Sequence, residues 1–238
     1  MAMGMGTAAM GPMSSDGAAP LLRLLQLVSP SLPIGGYTYS QGIEWAVESG
    51  WIRGLPDLES WLADLLLGTL ARVDLPLLLR LQAAARAGDP AALRDWTDQL
   101  LASRETAELR SEELNRGRAL ADLLVALGLP GAADWRHQLA RSQAASYAFA
   151  AAAWRIAPEV AATGYAWSWL EGLVLAAVRI VPLGQTQGQQ ALLRLADEIP
   201  GALERAQSLD DDAIGASSPA LAIASSRHET QYTRLFRS

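Results

Sequence analysis

An all-α fold is predicted, a single-domain bundle of several antiparallel helices, and three observations carry the prediction. Leu58, Trp61, Leu62, Leu65, Leu66 and Thr69 recur at the i, i+3, i+4, i+7 spacing of one helical face. Alanine and leucine, which head the helix-propensity scale, far outnumber Val, Ile, Thr and Tyr. No window alternates apolar and polar residues as a half-buried strand does. With 50% of its 238 residues hydrophobic and 18% charged, the chain can bury a substantial core.

The elements follow from their punctuation. Met1–Pro20, rich in Met, Gly, Ala and Ser at its start, reads as a flexible extension. Leu21–Val28 is a short apolar helix stopped by Ser29-Pro30, and a loop with two prolines and a Gly-Gly pair runs to Tyr37. Thr38 and Gln41 fit a capping box opening a helix to about Glu48. After the Leu58–Thr69 helix, with Asp57 favouring its positive end, Leu75–Ala87 continues as helix to the Gly88-Asp89-Pro90 break. Asp89 then caps a helix whose first residue is Pro90. Further helices are read over 91–102, 104–127, 137–156, 158–181 and 187–206, separated by Gly128/Pro130, Pro158, and Pro182 with Gly184. Ala144–Ala153 is slim enough for close helix–helix approach. The bundle is thus placed at 21–216. Asp210-Asp211-Asp212 and Ser217-Ser218-Pro219 set off a tail, 217–238, either packed on the domain or held for a partner.

The inventory excludes much chemistry. The chain contains no cysteine, so thiol catalysis, thiolate metal sites and disulfides are absent. All 19 basic residues are arginine, so neither a P-loop lysine nor a Schiff base is available. His137 and His228 are the only histidines, and neither sits in an H-E-x-x-H pattern. A formal charge of −6 and a pI near 5.0 argue against a nucleic-acid or anionic-membrane surface. Glu171 interrupts the apolar stretch Val160–Val178 and Arg179 follows it, so a buried helix is expected there rather than a membrane span. The first basic residue is Arg23, and no secretory n-region is read.

Four segments stand outside the apolar periodicity. Pro30–Trp45 holds Gly35 and Gly36, which let backbone approach another surface closely, and Tyr37 and Tyr39, rigid amphipathic side chains suited to interfaces; Ser40 and Glu44 follow. Ser103–Gly117 carries Glu105, Arg110 and several more carboxylates. Its pairs Glu112/Arg116 and Arg104/Glu108 would each contribute ~0.2–0.5 kcal/mol on a solvated helix face. Pro182–Gln190 places Gly184, Gln185 and Gln187 where they cap a helix or meet a partner. Ser226–Phe236 combines Arg227, His228, Tyr232 and Arg234, and a weak metal site at His228-Glu229 is disfavoured because adjacent side chains diverge. From these residues alone the chain is a binding protein without covalent chemistry of its own. Two alternatives stay open: a metal-dependent enzyme built on carboxylates of Glu105–Glu113, and a structural helical protein without partners.

Together the segments resemble the urease accessory protein UreF family. The resemblance rests on Ser29-Pro30-Ser31-Leu32-Pro33-Ile34-Gly35-Gly36-Tyr37-Thr38-Tyr39-Ser40-Gln41-Gly42-Ile43-Glu44, Ser103-Arg104-Glu105-Thr106 through Arg116-Gly117, Val181-Pro182-Leu183-Gly184-Gln185-Thr186, and Ser226-Arg227-His228-Glu229 through Arg234-Leu235-Phe236, in the family's order. It implies a cytoplasmic, homodimeric helical scaffold, not an enzyme, that bridges UreD (also called UreH) and the nickel-carrying GTPase UreG and couples GTP hydrolysis to metal delivery into the urease apoprotein. No cofactor is expected on this chain, since nickel and GTP act through the partner complex. The UreD-like partner would meet Arg227, His228, Tyr232 and Arg234. Gly35, Gly36, Tyr37, Tyr39, Ser40, Glu44, Glu105, Arg110 and Gln185 would belong to the shared binding surface, with no nucleic acid or membrane involved. Removal of Ser225–Ser238 is then expected to leave the bundle folded and to weaken the complex.

Overall fold

The computed structural model describes residues 15–238, with side chains from residue 18, and among these no strand occurs. The reading of residues 1–14 as a flexible extension lies outside the described residues. Helix α1 spans Ser15–Leu27, so it starts before Leu21 and runs through Pro20. The short helix α2 is Ile43–Glu48 and α3 is Leu55–Leu65, from which the backbone widens to π geometry over Leu66–Asp74 before α4, Leu75–Ala87. Pro76 has no N–H to give to the preceding turn, and the Arg72 carbonyl instead accepts the Gly215 N–H at 3.2 Å.

Helices α5 (Pro90–Ala102), α6 (Ala107–Ala126), α7 (Ala132–Leu139) and α8 (Gln143–Ala153) follow. The cap at α5 is as the sequence implies, with Asp89 accepting from Ala91 N and Ala92 N, each at 3.0 Å. Helix α6 starts three residues later than the sequence suggests, because Thr106 Oγ1 accepts from Leu109 N (3.2 Å) and leaves Arg104 in the preceding loop. The expected 137–156 helix is divided, because Ser142 turns the chain and its Oγ caps α8 through Ala145 N at 3.2 Å. Helix α9 is Pro158–Ile180, α10 Gln185–Ala196, α11 Ile199–Ser208 and α12 Pro219–His228. The single helix read over 187–206 is two, since Pro200 supplies no N–H to continue α10.

The alanine-rich α8 is the hub, packed between α4 and α6, with every residue from Gln143 to Ala151 buried. Close approach is bought by glycine: a Cβ on Gly117 of α6 would lie 2.5 Å from the Ser142 carbonyl carbon. Helix α9 packs on α10 and α11, and α12 packs on α2 and α6. None of the described helices is long and apolar enough to cross a membrane.

The expected capping box is not formed. Gly36–Thr38 is a short 3-10 turn, Gln41 and Gly42 both have positive φ, and α2 begins only at Ile43. The Gln41 side chain is drawn away from the backbone because it has stronger partners elsewhere. It donates to Glu112 Oε1 at 3.0 Å and accepts from Trp169 Nε1 at 3.0 Å.

Candidate functional site

Two buried ionic networks meet along α6. In the first, Arg104 bridges Asp74 (2.5 Å) and Glu113 (2.9 Å), and Glu113 also accepts from Ser142 Oγ (2.6 Å) and Ala144 N (3.1 Å). Burial alone would raise the Glu113 carboxyl, but the Arg104 charge and these two hydrogen bonds outweigh it and hold the group below the usual carboxylate range. Burial likewise opposes the charge on Arg104, and Asp74 and Glu113 reverse the balance, so its guanidinium is held more firmly charged. The i,i+4 pair expected between Arg104 and Glu108 is not formed, since Arg104 lies outside the helix and pairs with Asp74 and Glu113 instead.

The second network fastens the C-terminal segment. Glu44 Oε1 accepts from Leu235 N (2.6 Å) and Oε2 from Phe236 N (2.9 Å). His228, fully buried, sits between two carboxylates: Nε2 is 3.1 Å from Glu44 and Nδ1 is 2.7 Å from Glu108. Arg234 donates to the other oxygen of Glu108 at 2.6 Å. Ser40 gives its N–H (2.7 Å) and its hydroxyl (2.5 Å) to the Ser238 backbone oxygen, and Arg237 N donates to Thr38 O at 2.8 Å. Glu229 accepts from the Ala107 and Glu108 amides at the start of α6 (3.0 and 3.3 Å), where a negative charge is favoured. The Ser226–Phe236 segment is therefore packed, with Phe236 and Ser238 buried, the first of the two arrangements that the sequence leaves open.

The sequence-selected residues divide accordingly. Tyr39, Ser40, Glu44 and His228 are buried, and Ser40, Glu44 and His228 bond to other parts of the chain. Gly35 adopts φ 72°, a left-handed turn position suited to glycine. Tyr37, Gln185, Arg110, Arg227, Arg234 and Tyr232 are exposed, Tyr232 fully so at 104%. Glu105 is exposed and ties down Ser217 Oγ (2.9 Å) and Ser218 N (3.3 Å). Sequence reasoning missed Glu112 and Glu113 as buried anchors and Gln41 and Glu108 as half-buried ones. The available signal was the Glu112/Arg116 spacing, which does form a pair (2.8 Å), but an enclosed one rather than a solvated one.

Residues from three of the four segments line one cleft of about 280 Å³ between the 28–39 loop, α6 and α9: Gly36, Tyr37 and Tyr39, then Glu112 and Arg116, then Gln185. Glu171 also lines it, and burial raises its carboxyl. The acidic residues of 105–113 do not converge on a shared point. Each is engaged by arginine, histidine, serine or backbone N–H, and among the described residues no group of three or more His, Cys, Asp or Glu is placed to hold a metal ion.

Residues 52–196 match the UreF family profile. The chain is 54% identical to a urease accessory protein UreF of Pseudomonas putida (strain GB-1) over 226 residues, covering 95% of this chain and 100% of that one. The chain belongs to the UreF family. The UreF proteins of Alcanivorax borkumensis (51% identical; 91% of this chain, 97% of the other) and Azoarcus sp. BH72 (49%; 94% and 98%) align over nearly the same extent.

Proposed function

We propose that this chain is a non-catalytic cytoplasmic scaffold of urease maturation. It bridges a UreD (UreH)-type protein and a UreG-type GTPase as a homodimer, and so couples GTP hydrolysis to nickel delivery into the urease apoprotein, with nickel and nucleotide held by the partners. The observation that carries this reading is the locked C-terminal segment, which turns Arg227, Tyr232 and Leu235 outward while its other side is anchored by Glu44 and Glu108. An ordered segment presenting Arg, Tyr and Leu loses little entropy when a partner docks, and Arg and Tyr are frequent interface anchors. The UreD-type partner is assigned to this face, and the loop carrying Gly36 and Tyr37 to the shared surface beside the cleft.

The test is co-elution. This chain, a UreD-type protein and a UreG-type protein are run on a sizing column singly and mixed, with Tyr232→Ala and Arg227→Ala variants in parallel. A ternary peak that the variants weaken supports the reading. Three proteins that elute separately refute it.

A further inference from the structure

Among the described residues the Glu171 carboxylate forms no ion pair and no hydrogen bond, although it lines the cleft of about 280 Å³ beside the 28–39 loop. The side chain is half-buried on α9 rather than enclosed. Burial raises its carboxyl, and no neighbouring cation offsets the effect. Glu112, on the same lining, is different, because Arg116 meets its charge at 2.8 Å. With that pair neutralised, Glu171 and Arg179 are the remaining charged residues of the cleft. Arg179 is exposed and lies eight positions further along α9, about 12 Å away at 1.5 Å per residue, beyond a Debye length of about 8 Å at physiological salt. Aromatic side chains share the wall with Glu171: Tyr37, 64% exposed at the mouth, buried Tyr39 and half-buried Trp169. Cations are attracted to aromatic faces, and more strongly where water is excluded.

We propose that the cleft receives an arginine side chain of a partner protein, its guanidinium pairing with Glu171 and stacking on the aromatic wall. Guanidinium suits this place better than ammonium, because it is planar, stacks on aromatic rings and is less strongly hydrated. It also offers two parallel N–H donors to one carboxylate. The cleft holds many times the ~10–15 Å³ that a single water needs, and Leu32, Ile34 and Leu173 present apolar surface to the methylene stem. A partly desolvated carboxylate attracts an incoming cation more strongly than a carboxylate in open water does. Glu171 bonds to nothing among the described residues, so the site can be removed without disturbing the fold. Arg179 carries the same charge as the incoming group and opposes it weakly, which sets a sign that the test can read. The proposal rests on this face being a partner surface, and adds what chemistry enters it.

The experiment uses the full chain, ¹⁵N-labelled, and follows the Trp169 indole N–H and the Gly172 amide while N-acetyl-arginine amide or its neutral isostere N-acetyl-citrulline amide is added. The expected result is a saturable shift of both resonances with the arginine probe, at least tenfold weaker with citrulline and at least tenfold weaker in Glu171→Gln. Tyr37→Ala, at an exposed position, should weaken the arginine probe several-fold, and Arg179→Gln should tighten it slightly. Glu171→Gln should melt with the wild type, so its loss of binding reads the site and not the fold. Equal response to both probes, no response, or a response unchanged in Glu171→Gln overturns the proposal. In parallel, Glu171→Gln is mixed with the UreD- and UreG-type proteins on the sizing column, where a weakened complex is expected. A wild-type chain that forms no complex yet binds the arginine probe overturns the scaffold reading alone, whereas a complex formed equally well by Glu171→Gln overturns the guanidinium site alone.

Discussion

Replacing Glu44 by alanine is expected to destabilise the protein even though Glu44 touches no solvent-facing partner surface. The side chain is 9% exposed, accepts from two backbone donors, Leu235 N at 2.6 Å and Phe236 N at 2.9 Å, and lies 3.1 Å from His228 Nε2. Its removal leaves a fully buried imidazole facing a void on one side and two backbone N–H groups without acceptors. Leaving a buried donor without its acceptor costs about 1–3 kcal/mol, hence about 2–6 kcal/mol for the two amides. At about 2–4 °C per kcal/mol for a domain of this size, the melting temperature should fall by roughly 4–24 °C. If the segment undocks instead of the whole bundle unfolding, the loss becomes local: amide protection at Leu235 and Phe236 collapses while α8 keeps its own. Thermal melting and hydrogen exchange on the same sample therefore cover both routes. Melting within 1 °C of wild type, with Leu235 and Phe236 still protected, would refute the lock and return Glu44 to the partner surface.

Other perturbations probe the remaining parts. Removing 225–238 should lower the melting temperature as well as any partner affinity, because it extracts His228, Phe236 and Ser238 from buried positions; a truncated chain with unchanged melting would contradict the packing. Gly117→Ala must push α6 away from the Ser142 backbone, an overpacking cost of about 1–3 kcal/mol, measurable by urea denaturation as a lower midpoint. Because the Glu113 carboxyl is lowered in the folded state, its stabilisation is present above the unfolded value near 4.3 and is lost as pH falls through the folded value. Glu113→Gln should accordingly flatten the acid limb of a stability–pH curve below about pH 4.5, and an unchanged limb would show the pair contributes nothing. Tyr232→Ala, at a fully exposed position, should leave melting unchanged while weakening the complex in pull-down.

The difference between what could and could not be read from the chain is a difference between local and long-range physics. The Leu58–Thr69 stripe, the Asp89 cap and the alanine-rich α8 are specified by neighbours within one or two turns, and spacing and propensity suffice to find them. The 103–117 segment was misread for the opposite reason. Its carboxylates and arginines have the composition of a solvated face, and only the arrival of Asp74, Ser142, Gln41 and His228 from elsewhere in the chain makes burying them affordable. The Thr38/Gln41 motif failed in the same way, a local cap losing to the contacts of Gln41 with Glu112 and Trp169, residues 71 and 128 positions away. Buried charge of this kind does not by itself favour folding, since apolar replacements often do as well. What it supplies is geometry: α6 is held between a π-widened helix on one side and the C-terminal segment on the other, at separations that hydrogen bonds set to a few tenths of an ångström. Such a frame holds the Arg116 guanidinium against Glu112 at 2.8 Å, and a purely apolar interior would have no means of aiming a charged group that way.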